Sequence, residues 1–159
     1  MLLELPLTGY YFILYAFGAC SKTRFKEKLY RFLRHVKNVE QIVEEFWEYH
    51  QGSMADFYKK KHRRDDIIIS ASPEFLLKPI CRILEVDHLI CSKVHPMTGI
   101  YDGLNCHGEE KVRRLREEMP EVAVQEFYSD SLSDTPMAKV AKKAYLVKKG
   151  KIMDWPWHN

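Results

Sequence analysis

Hydrophobic positions follow different periods in the two halves of the chain. From Ser21 onward, Phe25, Leu29, Phe32, Leu33 and Val36 recur at intervals of three and four, with Lys and Arg between them. Val39, Ile42, Val43, Phe46 and Trp47 repeat that stripe. The spacing matches one face of an α-helix, so it predicts two amphipathic helices, with helical structure running to about Lys61. After Asp66 the period changes. Ile67, Ile68 and Ile69 form a β-branched run bounded by Ser70 and Ser72, as expected of a strand buried on both faces in a parallel sheet. Ser72-Pro73-Glu74 predicts a helix start, with serine as N-cap and an acid in the first turn, and this helix runs to about Leu84. Further strands are expected at 88–93, 122–128 and 144–147, and helices at 109–118 and 136–143. Strand and helix alternate, so residues 65–159 read as α/β, a Rossmann-like, mainly parallel sheet with helices on both faces.

The opening segment, LLELPLTGYYFILYAFGAC at residues 2–20, raises a membrane question. No basic stretch precedes it, as a signal peptide requires. Glu4 and Pro6 leave about 14 apolar residues after them, short of the roughly 20 that a spanning helix needs. A buried or cap helix is expected, without stable membrane insertion, and Tyr10, Tyr11, Phe12 and Tyr15 are expected to fill core.

Composition narrows the classes further. With 159 residues, 46% apolar and 30% charged, the chain suits one domain, or one with a small insertion, and not a disordered chain. A net charge of +3 is too near neutral to imply nucleic acid, and none is expected as a partner. The run KKKHRR, Lys59 to Arg64, has no interleaved aromatics and reads as a solvated helix end. Cys20, Cys81, Cys91 and Cys106 form no CxxC pair, so neither a zinc site nor a disulfide framework is indicated. Free thiols fit the cytoplasm.

In open parallel sheets, ligands bind beyond the carboxyl ends of the strands. Ser70 follows the isoleucine strand, Lys111 opens a helix, and Asp130 with Asp134 follow Phe127 and Tyr128. A hydroxyl, an ammonium and two carboxylates suit a phosphate with Mg2+: the first two address phosphate oxygens, and hard carboxylate oxygens hold the metal.

These residues lie in segments that resemble a known family. ISASPEF (Ile69–Phe75), GEEK (Gly108–Lys111) and YSDSLSDTPMA (Tyr128–Ala138) resemble the second, third and fourth motifs of the haloacid dehalogenase superfamily, in its phosphoserine-phosphatase-like branch. The segment Leu5–Trp47 resembles that branch's helical cap, and LVKKGKIMDWP its closing tail. The resemblance implies a cap-like region at 1–64 and a phosphatase core at 65–159 that lacks the family's first strand. It implies that Ser70 and Lys111 bind phosphate and serve catalysis, that Asp130 is a Mg2+ ligand, and that Asp134 binds the metal or orients its water shell. Ser133 stands where the family often has asparagine. The implied substrate is a small phosphorylated metabolite, chosen by the cap.

In the family, one aspartate attacks phosphorus and a second, two residues later, protonates the leaving group. The aspartates here are Asp56, Asp65, Asp66, Asp87, Asp102, Asp130, Asp134 and Asp154, and no two are two residues apart. The nucleophile motif therefore has no counterpart in the sequence. A Mg2+-dependent phosphomonoester hydrolase lacking that motif is the expectation; the alternative is a non-catalytic relative that binds phosphate or a protein. The family's nucleophile strand lies between the strand before Ser70 and the strand before Asp130. Without it, Ile67–Ile69 are expected to pair directly with Val124–Tyr128, or to receive an element from a second copy in a homodimer or strand exchange.

Overall fold

The computed structural model describes residues 21–157. The expectations for residues 2–20, including the four aromatics, lie outside the described residues. Helix α1 (Lys22–Tyr30) passes into a 3-10 turn at Arg31–His35, followed by α2 (Val39–His50) and α3 (Asp56–Lys61). The first stripe is thus interrupted, and Asn38 leads into α2 from the left-handed region at φ 55°, which asparagine tolerates better than most residues. Leu33, Val39 and Val43 bury together against Phe75 and Leu76, while the Trp47 indole N–H donates to the Leu76 carbonyl at 2.6 Å. The helical region therefore rests on the helix that follows Ser70. Leu29, Phe32, Ile42 and Phe46, also in the stripe, stay exposed.

The remainder runs β1 (Ile67–Pro73), α4 (Glu74–Ile83), β2 (His88–Ser92), α5 (Glu109–Glu118), β3 (Glu126–Ser129), α6 (Thr135–Ala138), β4 (Lys143–Lys148) and β5 (Lys151–Asp154). The fold is α/β, as expected. β1 pairs with β2 in parallel, and β3 pairs with β4 in parallel, with β5 added antiparallel to β4.

Several boundaries depart from the sequence pattern, each for a physical reason. β1 continues through Ser72, so Pro73, not Ser72, caps α4. The ladder to β2 shifts between Ser70 and Pro73, and the Ser72 N–H bonds Ser70 Oγ at 3.1 Å. Val122 and Val124 pack on the core, but strand pairing begins only at Glu126, opposite Lys143 where β4 starts. The helix expected at 136–143 stops at Ala138, because Lys143 is taken into β4; tertiary pairing overrides the propensity of an Ala/Lys-rich stretch. β5 was not foreseen. Lys149 and Gly150 both adopt positive φ, as a tight two-residue hairpin requires, and fold the tail back onto β4.

The largest departure concerns the sheet itself. Among the described residues its strands form two ladders, β1–β2 and β3–β4–β5, and the expected direct pairing of Ile67–Ile69 with Val124–Tyr128 is not made. Both ladders nonetheless share one core. Ile67 and Ile69 from β1 and Phe127 from β3 pack against the buried Ile90, Cys106, Leu115 and Met137. Among the described residues β1 bonds a strand on one edge only, and its three isoleucines are half-buried, not buried as expected. Among the described residues, no helix is long and apolar enough to cross a membrane.

Candidate functional site

An open cavity of about 350 Å³ lies where the carboxyl ends of β1 and β3 face each other. Ser70, Lys111, Asp130 and Asp134 all line it, so the four residues singled out by sequence converge. Each arrives by a different local device. Ser70 stands at the last regular position of β1 before the ladder shifts. Lys111 sits in the first turn of α5, whose N-cap is Gly108 at φ 60°, ψ −128°, a backbone conformation suited to glycine. Asp130 follows β3 directly and is exposed, its backbone carbonyl accepting from the Lys148 ammonium. Asp134 ends the 3-10 turn Leu132–Asp134, which begins with the Ser131 side chain accepting from the Ser133 N–H.

The centre of the site is a buried ion pair. Lys111 Nζ meets Asp134 Oδ2 at 2.7 Å, and the Ser129 hydroxyl donates to the same oxygen at 2.8 Å. Lys111 and Asp134 are each only 7% exposed. Isolated charges at that depth would be costly, so pairing and hydrogen bonding are what keep both groups there. Sequence reading did not assign Ser129 a role, although a hydroxyl at a strand end beside two acids was a visible signal. It also missed Phe57 of α3, which lines the cavity against Tyr128 with ring centroids 5.4 Å apart. The basic run at residues 59–64, which begins inside α3, is solvated as expected, and parts of it also pair with acids: Lys59 with Asp56 at 2.9 Å, Arg63 with Asp65, and Arg64 with Asp87 at 2.8 Å.

A second set of buried polar groups braces the site from behind. Arg114, one turn beyond Lys111, donates to the Cys91 and Leu104 carbonyls at 2.6 Å each and to Glu110 at 2.8 Å. Ser92 and Asn105, both buried, connect the end of β2 to the loop before α5. Burial pushes the Cys91 thiol up to about 12 and Cys81 to about 11, so both remain protonated and unreactive near neutral pH.

Among the described residues no group of three His, Cys, Asp or Glu could hold a metal. Mg2+ does not need such a group. It commonly takes one or two carboxylates and completes its shell with water and substrate phosphate. Asp130 and Asp134 on one cavity wall fit that donor set, and both hydrogen bonds to Asp134 fall on Oδ2, away from Oδ1.

The chain belongs to the haloacid dehalogenase-like hydrolases, whose family model matches residues 1–139. It is 39% identical over 92 residues to Protein CicA of Caulobacter vibrioides, a match covering 54% of this chain and 41% of that protein. A probable phosphatase of Mycobacterium tuberculosis is 31% identical over 111 residues, covering 58% of this chain and 37% of that protein. A histidinol-phosphatase of Neisseria meningitidis is 25% identical over 146 residues, with coverages of 71% and 66%. The chain thus spans about two fifths of the first two relatives. A crystal structure of a protein with unknown function from Bordetella pertussis shares the fold, with a TM-score of 0.63 at 21% identity over 84% of this chain and 69% of that one. Two of these relatives carry phosphatase names.

Proposed function

We propose that the chain forms most of a Mg2+-dependent phosphomonoester hydrolase of the phosphoserine-phosphatase-like branch, acting on a small phosphorylated metabolite in the cytoplasm. The observation that carries the reading is the convergence of Ser70, Lys111, Asp130 and Asp134 on one cavity between two ladders that share a core. Ser70 and the helix behind Gly108 address phosphate oxygens; Lys111 neutralises phosphate charge and bridges to Asp134. Asp130 and Asp134 would hold Mg2+, which supplies Lewis-acid charge to the phosphoryl oxygens when bound. Residues 22–61 act as a cap over residues 67–155, and Phe57 forms part of the wall that meets the leaving group.

Catalysis then needs an attacking carboxylate. Asp130 is a poor substitute, since a metal ligand sits beside the phosphate and not in line with its leaving group. The edges of β1 and β3 left unpaired among the described residues are the place for a strand carrying Asp-x-Asp, which no copy of this sequence contains and which a segment from outside it would supply. A relative named as a histidinol-phosphatase supports a small phosphate ester as substrate. The alternative, a phosphate- or protein-binding relative without catalysis, draws on the absence of any aspartate pair two residues apart.

The test compares the 159-residue chain with the same chain joined to an upstream strand bearing Asp-x-Asp-x-Thr. The chain alone should bind inorganic phosphate weakly, more tightly with Mg2+, and should barely turn over an aryl phosphate. The joined protein should gain several orders of magnitude in turnover, on the scale of roughly a millionfold when a covalent nucleophile is restored. No gain would favour the non-catalytic reading. Substantial hydrolysis by the chain alone, lost in Asp130→Asn, would overturn the account of the missing nucleophile.

A further inference from the structure

Lys26 lies on α1, 44 residues before Ser70, and no motif points to it. Yet its ammonium reaches the core beside the phosphate-binding end of β1. Nζ is 2.9 Å from the Ala71 carbonyl and 3.2 Å from Asn105 Oδ1. Ala71 sits in the stretch where the β1–β2 ladder loses register, between Ser70 opposite Cys91 and Pro73 opposite Ser92. Its carbonyl is met by two side chains, Lys26 and Ser92, the latter at 3.2 Å.

Proton counting shows why the lysine matters. The Ser92 hydroxyl has one proton and two acceptors within reach, the Ala71 carbonyl and Asn105 Oδ1, the latter at 3.1 Å. Its oxygen already accepts the Cys106 N–H at 2.9 Å. Ser92 can therefore satisfy only one of the two acceptors at a time. The Lys26 ammonium, with three protons, addresses both, and among the described residues it alone brings a charge to them. The same α1 segment is seated on the loop before Asn105. Glu27 accepts the Tyr101 N–H at 3.1 Å, and Tyr30 stacks on Tyr101 with centroids 6.3 Å apart. A Cβ at Gly99 would come within 2.5 Å of the Tyr30 carbonyl oxygen, so the loop and helix touch backbone to backbone.

We infer that Lys26 is a positioning residue of the phosphate site: by holding the Ala71 carbonyl and Asn105 together, it fixes the irregular end of β1 that presents Ser70. The helix that would cap the site thereby sets the geometry of its floor. The inference rests on the phosphate-site reading of Ser70, and the experiment separates the two.

In the 159-residue chain, the dissociation constant for inorganic phosphate with Mg2+ is measured by calorimetry for wild type, Lys26→Met and Lys26→Arg. Amide exchange at Ser72, whose N–H bonds Ser70 Oγ, is followed by NMR in the same proteins. Lys26→Met should weaken phosphate by about tenfold, the order expected for losing a charge-assisted bond that orders a binding segment, and should speed Ser72 exchange by a similar factor. Lys26→Arg should recover most of both. The gain in phosphate affinity on adding Mg2+ should persist in all three, since the carboxylates follow β3 and are not held by the β1–β2 ladder. Wild-type affinity in Lys26→Met, or equal losses in the two variants, would overturn the assignment. Should the wild-type chain itself fail to bind phosphate, the phosphatase reading falls, and Ser72 exchange still decides Lys26: faster in Lys26→Met sustains the anchoring, unchanged refutes it.

Discussion

The two walls of the cavity are held by different kinds of bond. On the β1–β2 side, side chains reach backbone carbonyls: Lys26 and Ser92 to Ala71, Arg114 to Cys91 and Leu104. On the β3–β4–β5 side, one side-chain ion pair, Lys111 with Asp134, is supported by Ser129, and Asp130 stands exposed beside it. Helix α5 supplies a buried cation to each wall, three residues apart and equally 7% exposed. Arg114 spends its fork on two carbonyls and Glu110. Lys111 makes one bond, at the cavity surface. A cation whose donors are consumed by backbone carbonyls frames a site; one with donors left facing a cavity can bind an anion. Burial and charge alone do not distinguish the two.

The largest expected effect is on the framing side. Arg114→Met leaves two carbonyls without their donor and takes one of two arginines from the largely buried Glu110. Breaking a buried pair by removing one partner costs about 3–5 kcal/mol, and chemical denaturation should read a loss in that range. A loss below about 1 kcal/mol, the scale of an exposed pair, would show that the fork is not what fixes the β1–β2 wall.

Lys111→Met should divide the effects differently. The Ser129 hydroxyl still bonds Asp134, and the cavity admits water to it, so stability should fall by roughly 1–3 kcal/mol, the cost of an under-satisfied polar group. Phosphate affinity should drop by tenfold or more in a direct binding measurement, since a charged donor is lost from the ligand side. A variant that loses as much stability as Arg114→Met while still binding phosphate would erase the distinction between the two cations.

The sequence carried the site better than the sheet. Ser70, Lys111, Asp130 and Asp134 were visible because each combines a reactive group with a strand end or helix start, and those local signals survive whatever the strands do. The helix at Glu109–Glu118 was legible to the residue, and it carries acids in its first turn and an arginine in its last, as the helix dipole favours. Lys26, Ser92, Asn105 and Arg114 were not, because their partners are carbonyls or side chains up to 79 residues away, and nothing in a local pattern encodes that distance. The split sheet was legible only in part. A disturbance was expected from the lacking strand, but direct closure of β1 onto β3 was the wrong outcome, since the shared core beneath both ladders is filled without it. β5 escaped because KIMD alone is too short and too exposed to read as a strand without its hairpin partner.

The smallest effect tests how far the frame depends on charge. Hydrogen bonds from Arg113 hold the Glu110 carboxyl down to about 2, with Arg114 assisting and burial opposing. Its ordinary value is 4.5. Below pH 4.5 the unfolded chain takes up a proton that the folded chain still refuses, so Glu110's contribution is complete above that pH and is lost progressively as pH falls toward 2. Denaturation midpoints measured across that window should fall more steeply in wild type than in Glu110→Gln. Arg113 is half exposed, so added salt should weaken its share, while the bond from buried Arg114 should persist. Matching acid limbs in the two proteins would mean that Arg114 frames the wall through its carbonyl bonds alone, with the carboxylate contributing nothing to it.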